Sequence, residues 1–100
     1  MNTEQPKTIK KEMGISHEDF YDELPNLLGG IPYQRLEDTI SFELKGKRVE
    51  INLCPEEVRK IGPSITLPVT TVTLRFFAFS EEEMSDFIRH FNLKFMKGGG

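Results

Sequence analysis

A chain of 100 residues, 37% hydrophobic and 29% charged, has the length for one folded domain with a two-layer core. A formal net charge of −3 excludes the basic footprint of a general nucleic-acid binder and the polybasic surface of a membrane-associated protein. A single cysteine excludes an internal disulfide and a cysteine-based zinc cluster, and no apolar run approaches the about 20 residues needed to cross a bilayer, so the chain reads as cytoplasmic.

Residues 1–14 read as a flexible leader: polar, marked by Pro6 and Gly14, and without an apolar period. The stretch "SHEDFYDELPNLLGG" predicts a helix. Ser16 is a good N-cap, and the acids Glu18 and Asp19 suit the positive end of the helix dipole. Phe20, Leu24, Leu27 and Leu28 follow one helical face. Pro25 removes a donor and crowds the Tyr21 carbonyl, which predicts a kink or two short pieces, and Gly29-Gly30 ends the element.

"LEDTISFELKGKRVEINL" alternates as two strands do. Leu36, Ile40, Phe42 and Leu44 share one face, and Val49, Ile51 and Leu53 continue it after a two-residue turn at Lys45-Gly46. That turn pairs Phe42 with Val49 and Ile40 with Ile51, and on the other face Glu43 with Arg48 and Ser41 with Glu50. Pro55 to Gly62 predicts a short helical turn, and Pro63 and Pro68 a loop or an edge. "VTTVTLRFFAF" is rich in β-branched and aromatic residues and predicts a third strand. "SEEEMSDFIRHFN" predicts a second helix, with Ser80 and Glu83 as a capping box and Met84, Phe87, Ile88 and Phe91 as its apolar stripe.

The fold expected is α+β in the order α-β-β-β-α: a three-stranded antiparallel meander with two helices packed on one face. The folded domain spans residues 15–97 and a flexible glycine tail spans 98–100. The order resembles that of the double-stranded RNA-binding domain. That resemblance implies a lysine cluster at the start of the second helix, where this chain has Glu81, Glu82 and Glu83. Carboxylates there repel phosphate, so no nucleic acid is expected as a partner.

No nucleophile, base and oxyanion donor stand together in the sequence, and there is no phosphate loop, so no catalytic residue, cofactor or metal is expected. Cys54, before Pro55 at a candidate helix start, is either a reactive thiol or a small residue closing a strand. His17 with its neighbouring acids, and Asp86 with His90, read as helix capping and a surface ion pair rather than metal ligands. In the third strand, Arg75, Phe77 and Phe79 fall on the face that Thr71 and Thr73 mark as outer. Aromatics beside a cation on an outer face predict a protein interface, unless a bulge turns the rings inward. The function expected is a small non-enzymatic domain that contacts an unidentified protein partner through this sheet face. An open edge of the meander could add a partner strand and give a symmetric homodimer.

The chain finishes "NLKFMKGGG". This tail resembles that of ubiquitin-like and sulfur-carrier proteins, whose terminal Gly-Gly threads into an enzyme and has its carboxylate adenylated. The resemblance implies a reactive end at Gly99 and Gly100, where a β-carbon would block the approach. Carriers of that kind have a β-grasp fold whose last strand leads into the tail. Here a helix is expected to lead into it.

Overall fold

Two residues at the Lys45-Gly46 turn have positive φ, 53° and 80°, the conformation a tight two-residue hairpin requires. Around them β3 (Thr39–Leu44) pairs with β4 (Lys47–Leu53) in the register the alternation predicts, Phe42 opposite Val49 and Ile40 opposite Ile51. Glu43 does stand opposite Arg48, but the guanidinium bonds its own strand neighbour Glu50 at 2.7 Å.

The structure, a computed structural model, describes residues 5–96. Its other elements are β1 (Lys7–Met13), α1 (His17–Leu28), β2 (Tyr33–Leu36), β5 (Glu57–Lys60), β6 (Thr66–Phe76) and α2 (Glu81–Met96). The sheet runs β1-β6-β4-β3-β2, with β5 paired to the start of β6, and each of these pairs is antiparallel. The class is thus α+β with two helices, as expected, but the expected meander is only the middle of a larger sheet.

Three expectations are corrected. Residues 7–13 are not leader: they form β1 along β6, with Ile9 opposite Leu74 and both Ile9 and Met13 packed against the core. Pro55 to Gly62 holds no helical turn. β6 begins at Thr66, earlier than its β-branched run, and draws residues 57–60 into pairing. Pro68 falls opposite Val58, in a two-stranded ribbon where a missing ladder donor is tolerated. Leu36 does not continue the inner face of β3: Glu37, at φ 55°, turns the chain, and Leu36 ends β2 with 78% of its surface exposed.

The inner face of the sheet carries Ile40, Phe42, Val49, Ile51, Leu53, Val72, Leu74 and Phe76. Phe20, Leu24, Leu27 and Leu28 of α1 and Phe87 and Phe91 of α2 join the same buried cluster. Aromatic rings bind the helices to each other, Phe20 lying 6.3 Å from Phe91 and 4.8 Å from Phe95. Ser16 caps α1 by accepting from the Asp19 N–H at 3.0 Å, and Gly29 closes it at φ 60°. Pro25 does not divide α1, which runs unbroken to Leu28, and α2 continues past Asn92 to Met96. The outer face is polar, with Asn52 donating to Thr39 Oγ1 at 2.8 Å.

Candidate functional site

β6 stops at Phe76, and the chain after it breaks strand alternation. The Phe77 N–H donates to the Arg48 carbonyl at 3.0 Å, and Ala78 then adopts φ 64°. That left-handed residue separates Phe77 from Phe79. Phe77 stays half-buried, while Phe79 turns inward and keeps 5% exposure, its ring 5.1 Å from Phe76. Lys7 Nζ bonds the Phe79 carbonyl at 2.8 Å and so ties β1 over this corner. Phe79 therefore offers no surface to a partner. Arg75 stays partly exposed on the outer face, between Thr8 of β1 and Glu50 of β4.

Cys54 follows β4, and its N–H donates to the Thr71 carbonyl at 2.9 Å. Its own carbonyl accepts from His17 Nε2 at 2.7 Å, so the histidine reaches the backbone of Cys54 from the start of α1. The sequence did not connect these two residues, which lie 37 positions apart. The other ring nitrogen of His17 faces Asp38 Oδ1 at 3.8 Å, in the β2–β3 turn. Asp38 accepts from the Tyr21 hydroxyl at 3.0 Å, and the Arg35 guanidinium lies 3.7 Å from the Tyr21 ring centre. The cluster joins the first turns of α1 to the sheet edge. It holds no preformed nucleophile–base pair, because His17 is engaged by a carbonyl and not by the thiol.

Burial, then the hydrogen bond to Asp38, pushes the Tyr21 phenol up from 10.0 to about 12. The neutral phenol is thus favoured by folding. Its contribution to stability is complete below pH 10 and is lost as pH rises through about 12. The ultraviolet titration of this phenol should move toward the value of a free tyrosine in Asp38→Ala. An unchanged midpoint would contradict the assigned hydrogen bond.

His90 and Asp86 are not partners. His90 Nε2 donates to the Leu27 carbonyl at 2.9 Å and fastens α2 to α1, while Asp86 bonds Arg89. The first turn of α2 forms the capping box the sequence predicts: the Glu83 N–H donates to Ser80 Oγ at 3.1 Å and the Ser80 N–H to Glu83 Oε1 at 2.8 Å. Lys47 Nζ adds bonds of 2.7 and 3.0 Å to the same carboxylate. Lys47 first, and the Ser80 backbone second, lower Glu83 from 4.5 to about 2. A depressed carboxyl stabilises the fold above its ordinary value, and that contribution disappears as pH falls from about 4.5 through about 2. Urea midpoints should decline over this range in the native chain and decline less in Glu83→Gln. Parallel acid profiles would sink the assignment.

Beside this cap lies a cleft of about 470 Å³ between the C-terminal end of α1, the β3–β4 turn and α2. Leu27, Leu28, Ile31, Leu44 and Phe87 supply apolar walls, and Lys45 and Lys94 stand at its edge. Among the described residues no group of three or more His, Cys, Asp or Glu could hold a metal ion, and no helix is long and apolar enough to cross a membrane. Gly99 and Gly100 lie outside the described residues. The last described element before them is α2, which brings the chain to Met96 as a helix.

The described residues form a small α+β domain whose last described element is a helix, and in sequence Lys97 and three glycines follow it. The chain matches the archaeal MoaD-like protein family over residues 9–100 and belongs to that family. No curated protein and no solved structure matches it.

Proposed function

We propose that the protein is a carrier of the sulfur-carrier or ubiquitin-like kind, in which the carboxyl of Gly100 is the group put to use. The observation that supports this reading is the extent of the family match, which runs through residue 100 and so takes in Gly98, Gly99 and Gly100. In this chemistry the terminal carboxylate attacks the α-phosphorus of ATP and pyrophosphate leaves. The acyl adenylate is then opened at its carbonyl by a sulfur nucleophile, AMP departs, and a thiocarboxylate or a thioester remains. Attack by an amine gives an amide conjugate instead. The domain itself supplies no reacting side chain; it presents the tail and is recognised by the activating enzyme.

The test is the intact mass of the protein purified from its native cells, with fragmentation of the last residues. A chain ending at Gly100, part of it with one oxygen replaced by sulfur or joined to an acceptor, is the expected result. A native chain that continues beyond Gly100, or one that forms no adenylate with ATP and native extract, would overturn the reading.

A second reading is a protein-binding domain that acts through the outer sheet face. It is favoured by the partial exposure of Arg75 and Phe77 on a face that neither helix covers. Capture of the same protein partner by the native chain and by a Gly98–Gly100 deletion would support this reading over the carrier.

A further inference from the structure

β5 belongs to the stretch Glu56-Glu57-Val58-Arg59-Lys60, two acids and two bases either side of one valine. All four residues of β5 are exposed, and the strand pairs with β6 along one side. Among the described residues no strand pairs with its other side. The ribbon that β5 and β6 form is apolar for a free arm: Val58 is 69% exposed, Ile61 56%, Ile65 55% and Leu67 36%. A two-stranded ribbon with exposed apolar groups and an open edge is marginal alone and is a template for pairing.

The other sheet edges are poorer templates. β1 carries Lys7, Lys10 and Lys11 along its seven residues. β2 carries a single charge, Arg35, with no acid in the strand to face it, and the chain turns away at Glu37.

Two copies that pair antiparallel about a two-fold axis keep the same face on the same side of the joined sheet. Opposed residues then have the same parity in sequence. Centred on Glu57 or on Arg59, the pairing sets identical charges against each other. Centred on Val58, it sets valine against valine at the axis, Glu57 against Arg59, and Glu56 against Lys60, each of these charge pairs occurring twice. We infer that the chain forms a two-fold dimer by antiparallel β5–β5 pairing in the register centred on Val58. This goes beyond the carrier reading and does not depend on it.

Two existing contacts are compatible with that register. Arg59 Nη2 holds Glu12 Oε2 at 2.9 Å, with both side chains about half exposed, and a guanidinium has donors for a second carboxylate. Glu56 Oε1 accepts from the His17 N–H at 2.9 Å, and its other oxygen remains for Lys60 of the second copy. The contact is small, so the dimer is of the weak, salt-sensitive class.

Sedimentation equilibrium from micromolar to millimolar protein, in low and in high salt, tests the inference. The native chain should dimerise, more weakly in high salt. Val58→Lys, Glu57→Arg and Arg59→Glu should each raise the dissociation constant by about tenfold or more. Far-UV dichroism should stay as in the native chain, because these side chains are exposed; Arg59→Glu also loses the exposed ion pair with Glu12 and should unfold only slightly earlier. An equimolar mixture of the Glu57→Arg and Arg59→Glu chains should recover the dimer as a heterodimer, since opposite charges then face each other at both positions. A native chain that stays monomeric throughout would overturn the inference. So would a dimer that ignores all three substitutions, or a mixture that fails to recover association.

Discussion

Phe79→Ala is expected to destabilise the fold by about 3–5 kcal/mol, while Phe77→Ala costs about 1 kcal/mol or less. The rings are two positions apart and chemically identical, so the contrast isolates the turn at Ala78. Phe79 is 5% exposed, lies 5.1 Å from Phe76, and has the Lys47 ammonium 5.9 Å from its ring centre. Truncation empties a site bounded by β1, the end of β6 and the first turn of α2, elements that cannot all close over the gap. Phe77 is half-buried, and its backbone N–H bond to Arg48 survives truncation of the side chain. A loss of several kcal/mol is a large share of the about 5–15 kcal/mol that a domain has in total, so denaturant unfolding is the right measurement. Equal losses for the two variants would mean that Ala78 does not redirect the chain.

The same turn shows where sequence reasoning stops. Alternation placed Phe77 and Phe79 on one outer face because parity is the only geometric information a strand pattern carries. A single left-handed alanine resets that parity, and alanine carries no sequence signal for positive φ. The β3–β4 hairpin was legible because turn chemistry at Lys45-Gly46 and hydrophobic pattern on both flanks specified the same register. α1 and the capping box of α2 were legible for a similar reason: caps and apolar period agreed. β1 was not, since Ile9 and Met13 are its only apolar residues, set among lysines that an edge strand carries to discourage pairing. β5 was hidden by Pro55 and the two acids after it, which equally suit a helix start. Its strand state is imposed by the early beginning of β6, a tertiary effect. Of the site residues, Cys54 reads in sequence as either a reactive thiol or a residue closing a strand; it follows β4 by one position, and its link to His17 crosses the fold and leaves no local trace. The paired acids and bases of the β5 segment were in plain view, and they acquire meaning only once the segment is known to be an open strand.

Deleting Gly100, or substituting Gly99→Val, should abolish adenylation of the tail or slow it by about 100-fold or more, with the fold unchanged. A carboxylate displaced by a single ångström from the α-phosphorus loses about that factor, and a β-branched side chain near the terminus both widens the tail and restricts its backbone. Pyrophosphate exchange catalysed by native extract reads this directly, and far-UV dichroism of each variant chain gives the control. The geometry adds a second requirement. Four residues follow Met96, and fully extended they span at most about 14 Å. A helix about 10 Å across cannot follow them into a narrow channel. On the carrier reading, an activating enzyme would have to seat the end of α2 at the mouth of its site, where Leu93 is 64% exposed one turn before the tail. Leu93→Asp should raise the KM for this protein while leaving kcat close to native, because it weakens docking and not the reaction. Loss of kcat with unchanged KM would place Leu93 outside the contact. Full adenylation of a chain lacking Gly98, Gly99 and Gly100 would remove the glycines from the chemistry altogether, and with them the carrier reading.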